Sequence, residues 1–311
     1  FFFQAEDGIR DCLLSRGLEM CIRDRNNSVL VFPIMDISFE FFPPSTSQAE
    51  IVLWDSIKLL EPLKPNFVSV TYGAGGTTRN RTHNCVKKII EETNLKPAAH
   101  LTCVNSSKDE IKLITEDYKK IGVKHIVALR GDMPNFENFK PHPDGYKSSI
   151  DLVHNLSQQN FLVTVSAYPE KHPDSGSIDE DIEFLKRKID AGATQAITQF
   201  CFDFEIILAY RDLLKKNNIN IPIIPGIMPT TNFQGVKKMS KQCSTSIPKW
   251  IEKKYTGLEN NLSERKKVAK EIAIDFCQKL MINDFKAIHF YTLNQSELTL
   301  SVCQDLNISY E

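Results

Sequence analysis

From residue 36 onward the chain switches back and forth between two hydrophobic rhythms. Short β-rich runs alternate with longer stretches whose apolar residues recur at helical spacing. The predicted strands are DISFEF (36–41), FVSVTY (67–72), AAHLTC (98–103), HIVALR (125–130), FLVTVSAY (161–168), AITQF (196–200), PIIPGIM (222–228) and AIHFYT (287–292). Amphipathic helices are predicted between them. In SKDEIKLITEDYKKIG, Ile111, Ile114 and Tyr118 share a face, and Gly122 is placed to end the helix. In IDEDIEFLKRKIDAGA, Ile182, Leu185 and Ile189 do the same ahead of Gly192. Such a run of β-α units predicts an α/β fold, a single (β/α)8 TIM barrel. An open doubly wound sheet would call for a Gly-rich loop after the first strand, and here that loop carries Pro43 and Pro44. Between the last two strands, IPKWIEKKYTGL and SERKKVAKEIAIDFCQKLM are predicted as extra helices.

Residues 1–25, FFFQAEDGIRDCLLSRGLEMCIRDR, break this pattern. They show no sustained period and resemble translated sequencing-adapter read-through. The other reading is a genuine, poorly ordered arm. We take 1–25 as a non-native or disordered tail and 26–311 as the barrel domain.

Composition narrows the class. With 41% hydrophobic residues the chain can build a core, and a net charge of −1 gives no basic surface for nucleic acid. No apolar run reaches the ~18 residues of a membrane span. The eight cysteines form no C-x-x-C and sit at no zinc-ligand spacing with histidine. They are read as reduced thiols of a cytoplasmic protein without a metal site.

In barrels of this kind chemistry gathers at the C-terminal strand ends. Those ends carry Glu40, Thr71-Tyr72, His100, Thr102, Arg130-Gly131-Asp132, Tyr168, Gln199 and Tyr291-Thr292. Alternation on the first strand puts Ser38 and Glu40 on one face and Ile37, Phe39 and Phe41 on the other. Glu40 then points into the barrel mouth, where desolvation raises a carboxyl pKa and suits it to donate a proton. A structural carboxylate paired to Arg or Lys is the alternative. Arg130 suits a phosphate or carboxylate, Gly131 a close backbone approach, and Asp132 adds a second carboxylate. An ion pair between strand and loop is the less favoured alternative. YGAGGTT (72–78) lacks the spacing of a dinucleotide fingerprint. Gln199 needs a hydrogen-bond partner from substrate or protein. Lys186, Arg187 and Lys188 read on pattern alone as a solvated helix face.

Together, ISFEFFPP, FVSVTYGAGG, RTH, AHLTC, HIVALRGD, YPEKHP, LKRKIDAGA, AITQFCFD, IIPGIMP and HFYTLN, in this order, resemble the methylenetetrahydrofolate reductase family over residues 36–304. The resemblance implies an FAD-holding barrel in which NADH or NADPH and methylenetetrahydrofolate use one flavin in turn, by ping-pong kinetics. The product, 5-methyltetrahydrofolate, serves methionine synthesis. It implies Glu40 as general acid toward the folate N10 and Asp132 as the carboxylate beside the flavin and the cationic folate. Gln199, Thr71, Gln234 and Gln295 match or stand near folate-contacting positions. Thr71, Tyr72, Ala74, His100, Arg130, Gly131, Asp132, Tyr146, Lys147, Tyr168, His172, Asp181, Arg187 and Lys188 match flavin-binding positions. This reverses the bland reading of Arg187 and Lys188.

The family pattern also brings self-association into a homo-oligomer, with folate as the small-molecule partner. Two departures stand out. Asn232-Phe233-Gln234-Gly235 replaces the frequent Asn-Phe-Lys-Gln, and Gln295 replaces an arginine frequent after TLN. Rival readings are another flavin barrel, a glycosidase-like pair of Glu40 and Asp132, and a non-catalytic flavin-binding protein.

Overall fold

The computed structural model describes residues 35–72, 79–132 and 139–308. The expected tail 1–25, the first residues of the expected domain and Ala74 lie outside the described residues. In chain order the elements are β1 (Asp36–Phe41), α1 (Ser47–Leu60), β2 (Phe67–Val70), α2 (Arg79–Glu92), β3 (Pro97–Thr102), α3 (Lys108–Lys120) and β4 (His125–Leu129). Then come α4 (Ser149–Gln158), β5 (Leu162–Ala167), α5 (Ile178–Asp190), β6 (Gln195–Thr198), α6 (Phe204–Lys216), β7 (Ile223–Ile224) and β8 (Gly226–Ile227). The chain finishes with α7 (Phe233–Cys243), α8 (Lys249–Tyr255), α9 (Leu262–Ile282), β9 (Ala287–Tyr291) and α10 (Ser296–Asp305).

Every strand pair is parallel, in the order β7-β6-β5-β4-β3-β2-β1-β9-β8. Where one strand was expected over 222–228, two short ones occur, because Pro225 has no N–H to give to a ladder. Its carbonyl still accepts from His289 N at 2.9 Å. β7 pairs with β6 and β8 pairs with β9, so this one broken segment joins the two edges and closes the barrel.

The helices stop and start where their residues dictate. Ser107 and Glu110 cap each other at the start of α3, the reciprocal arrangement that satisfies two orphan N–H groups. Gly122 and Gly192, at φ +90° and +113°, follow the C-terminal ends of α3 and α5, a backbone region that glycine enters at little cost. Ile111, Ile114, Tyr118, Ile182 and Leu185 are buried, as their spacing requires, while Ile189 is only half-buried.

β1 divides its residues between two environments. Ile37, Phe39 and Phe41 are buried against the helices, and Phe39 meets Phe290 of β9 with ring centroids 6.0 Å apart. Its other face looks into the barrel. The lower lumen is filled by Phe67, Ala98, Val127, Ile197 and Ile224. His125 meets Phe67 edge-on at 4.8 Å and His289 stacks on it at 5.8 Å. The lumen is therefore a packed core, and open space begins only at the strand ends.

Candidate active site

Glu40 stands at the C-terminal end of β1, paired in register with Ser69 of β2 and Tyr291 of β9. Its side chain is 12% exposed, and its Oε2 lies 3.5 Å from His100 Nε2 on β3. The contact joins two neutral groups. Burial pushes the Glu40 carboxyl up to about 8. Burial, and then the neighbouring His125, push His100 down to about 3. A protonated acid beside a neutral imidazole is thus the resting state near neutral pH. His289 and His125 are likewise held neutral by burial. The first has its Nδ1 2.8 Å from Ser38 Oγ and the second its Nε2 2.6 Å from Thr164 Oγ1. Above them, His100 Nε2 and Thr102 Oγ1 are buried and have no hydrogen-bond partner among the described residues. Leaving such atoms unpaired costs ~1–3 kcal/mol each, so the mouth favours a polar ligand.

The β4–β5 side of the mouth opens on a cavity of about 420 Å³ whose walls include Arg130, Gly131, Asp132, Tyr168, His172 and Lys188. Arg130 Nη1 binds Asp174 Oδ2 at 2.8 Å. Asp181 accepts from His172 N at 2.6 Å and from Ser175 Oγ. Lys188 is buried and donates from Nζ to Ser166 O at 3.1 Å. Burial pushes its ammonium down to about 8, so a nearby anion would hold it charged. Tyr168 meets His172 edge-on at 4.7 Å.

Gly131 has a structural requirement independent of any ligand. Its φ is +83°, and a Cβ there would lie 2.5 Å from Val104 Cγ1 and 2.8 Å from Thr102 Cβ. Packing beneath the cavity floor fixes this residue.

A second cavity, of about 1020 Å³, adjoins the first through their common residue Lys147 and includes Tyr146, Asp151, His154 and Arg187 in its lining. Ten of the expected site residues therefore line these two cavities: Arg130, Gly131, Asp132, Tyr146, Lys147, Tyr168, His172, Asp181, Arg187 and Lys188. Glu40 and His100 meet each other at the strand ends instead. Thr71 and Tyr72 follow β2, half-buried, with Thr71 N bonded to Phe41 O at 3.0 Å beside Glu40. Gln199 is half-buried at the end of β6, and its Oε1 accepts from Phe200 N at 3.0 Å, so the protein itself supplies one partner.

Gln234 and Gln295 are not brought together. Gln234 is exposed on α7 and lines a small cavity with Lys237, Glu252 and Tyr255. Gln295 is exposed at the start of α10, on a different groove.

The profile of the methylenetetrahydrofolate reductase family matches residues 33–307. The chain belongs to the methylenetetrahydrofolate reductase family. It is 45% identical over 275 residues to the 5,10-methylenetetrahydrofolate reductases of Salmonella typhimurium and Escherichia coli, covering 88% of this chain and 91% of each relative. Methylenetetrahydrofolate reductase (NADH) 1 of Zea mays is 30% identical, and the match covers 48% of its length. Among solved structures, an uncharacterized protein from Clostridium thermocellum that binds two copies of 5-methyl-5,6,7,8-tetrahydrofolic acid superposes with a TM-score of 0.59 at 16% identity. That match covers 93% of this chain and 98% of the other, a likeness of fold.

Within this reductase fold several neighbours escaped the sequence reading. Asp174, the partner of Arg130, sits in the loop after Tyr168 and gave no periodic signal. The lumen histidines His125 and His289 were legible in principle, because alternation with Val127 and Tyr291 puts them on the inner face. Of the family motif at α7, Asn232 caps the helix through Oδ1 to Gly235 N at 3.0 Å, and Phe233 stacks on Tyr255 at 4.4 Å. Both therefore have structural work independent of any ligand. No helix of the described residues is long and apolar enough to cross a membrane. Among them, no group of three or more His, Cys, Asp or Glu could hold a metal ion.

Proposed function

We propose that this chain reduces 5,10-methylenetetrahydrofolate to 5-methyltetrahydrofolate with NADH or NADPH as donor and FAD as carrier, supplying methyl groups for methionine synthesis. The observation that carries the reading is Glu40: a buried carboxyl, protonated near pH 7, at the mouth of a barrel with this family's sequence. The trough fits a phosphate-bearing flavin dinucleotide. Arg130, Lys147, Arg187 and Lys188 supply cations along it, and the unpaired His100 Nε2 and Thr102 Oγ1 offer polar atoms on β3. When bound, the flavin would take a hydride from the nicotinamide and pass it to the folate, each substrate using the site in turn.

The residues' own part is positioning and proton transfer. Glu40 donates its proton to the folate N10 as the bond from N10 to the methylene carbon breaks, leaving a cationic methylene-N5 group to accept hydride. Asp132 stabilises that cation, and Gln199 and Thr71 orient the ring. Thr71, Tyr72, Ala74, Tyr146, Tyr168, His172 and Asp181 complete the flavin site. Gln295 and Gln234 lie on the substrate's outer path. The domain over 26–311 acts in the cytoplasm as a homo-oligomer, and 1–25 takes no part.

The test is an anaerobic visible spectrum of the purified protein. A yellow protein that bleaches with NADH and recolours with methylenetetrahydrofolate supports the reading. A protein colourless after incubation with FAD overturns it and returns Glu40 and Asp132 to hydrolytic chemistry.

A further inference from the structure

We infer that Thr292 and Asn294, in the loop after β9, are positioning residues for Glu40: they grip the main chain around it and so set the direction of its carboxyl. The inference rests on the proton-donor reading above and deepens it. β1 pairs with β9 as far as Glu40 and Tyr291. Pro43 and Pro44 follow soon after and bring no N–H to any ladder. Beyond Glu40, side chains take over the pairing. Thr292 Oγ1 donates to Glu40 O at 2.6 Å. Asn294 accepts through Oδ1 from Phe42 N at 2.9 Å and donates through Nδ2 to Phe42 O at 3.0 Å. One amide thus answers both main-chain groups of the residue two along from Glu40.

The loop is itself braced. Leu293 and Asn294 have φ +51° and +54°. That left-handed backbone is unfavourable for a residue with a Cβ, asparagine tolerating it best. Such a conformation persists only where its surroundings hold it. Thr292 Oγ1 accepts from Asn294 N at 3.2 Å, and Thr292 O accepts from Gln295 N at 2.8 Å. Ser56 Oγ of α1 donates to Asn294 O at 3.0 Å. Leu293 packs on the cluster of Phe200, Met228 and Val236. At the foot of the loop, Tyr291 Oη donates to Thr198 O at 2.8 Å. Its ring lies against Gly226, where an added Cβ would stand 2.4 Å from it.

What the clamp fixes matters for proton transfer. The Glu40 carboxyl meets His100 Nε2 at 3.5 Å, too long for a good hydrogen bond. Among the described residues no shorter side-chain bond aims it, so its direction comes from the main chain that carries it. The ladder with β2 and β9 holds that chain up to Glu40, and Thr292 and Asn294 hold it beyond. A displacement of about 1 Å in a reacting group can cost about 10²-fold in rate.

Anaerobic stopped-flow on the FAD-loaded protein tests this. Asn294→Gly keeps the left-handed backbone without steric cost and removes the amide. Thr292→Val keeps the shape and removes the hydroxyl. Each is expected to slow recolouring by methylenetetrahydrofolate about 10–100-fold, with bleaching by NADH near its unmodified rate. Thr292→Ser, which keeps the Oγ, should recover most of the loss. Placed on Glu40→Gln, the same substitutions should cost nothing further, since no donor remains to be positioned. Full additional losses on Glu40→Gln, equal slowing of both half-reactions, or no slowing at all overturn the clamp and leave the proton-donor reading standing. A Glu40→Gln protein that recolours at the unmodified rate overturns both.

Discussion

The two sides of the barrel mouth are built on opposite plans. At β4–β5 the buried charged groups are held before any ligand arrives, Asp181 by His172 N and Ser175 Oγ and Lys188 on Ser166 O, while Arg130 reaches the exposed Asp174. Around α9 and α10 the charges are exposed and paired with exposed acids. Preorganised groups cost little to use when charge develops, whereas exposed pairs give adaptable binding of modest strength. Glu40 lies on β1, between β2 and β9.

The largest effect should come from Glu40→Gln. Loss of the proton donor is expected to slow reduction of methylenetetrahydrofolate by about 10²–10⁴-fold. Bleaching by NADH should stay near its unmodified rate, which anaerobic stopped-flow reads directly. An equal loss in both half-reactions would dissolve the distinction between proton donor and flavin side. Lys188→Ala acts on the locked side. It removes the buried cation and leaves Ser166 O without that donor, and FAD is expected to dissociate about 10–100-fold more readily. Cofactor retention after gel filtration checks this.

The same carboxyl sets a stability signature. Its folded pKa, about 8, lies above the model-peptide value of 4.5, so the folded chain holds this proton more tightly than the unfolded one. Below pH ~4.5 both states are protonated and the group contributes no pH dependence. As pH rises toward 8, the native chain loses stability, by a few kcal/mol at about 1.4 kcal/mol per unit. Glu40→Gln should therefore melt at a higher temperature than the unmodified protein at pH 8.5 and at nearly the same temperature at pH 4.5. Thermal denaturation at the two pH values decides it. The smallest expected effect is on the open side. Gln295→Arg should tighten monoglutamate folate by about three- to tenfold, one exposed charge-assisted contact, and titration with the monoglutamate measures it.

How far the sequence reached follows from which forces were local. The barrel was legible because strand alternation and helical spacing are written residue by residue, down to Gly122 and Gly192 as helix ends. Glu40's direction followed from alternation on β1 alone. The broken seventh strand was missed because Pro225 sits inside an otherwise apolar run, and its missing N–H matters only once the ladder is known. At Gly131 a packing requirement went unseen, since the clash with Val104 depends on a loop that no period marks. Arg187 and Lys188 show the limit most clearly. They are adjacent on one helix, yet Lys188 is buried and Arg187 exposed, a difference set by α5's docking on β5.

The central claim is that Glu40 is protonated at neutral pH. Infrared difference spectroscopy of the unmodified protein against Glu40→Gln, across pH 5–10, tests it most directly. The account expects a protonated-carboxyl stretch at pH 7, present only in the unmodified protein and lost with a midpoint near 8. No such band at pH 7, or a midpoint near 4.5, would contradict it.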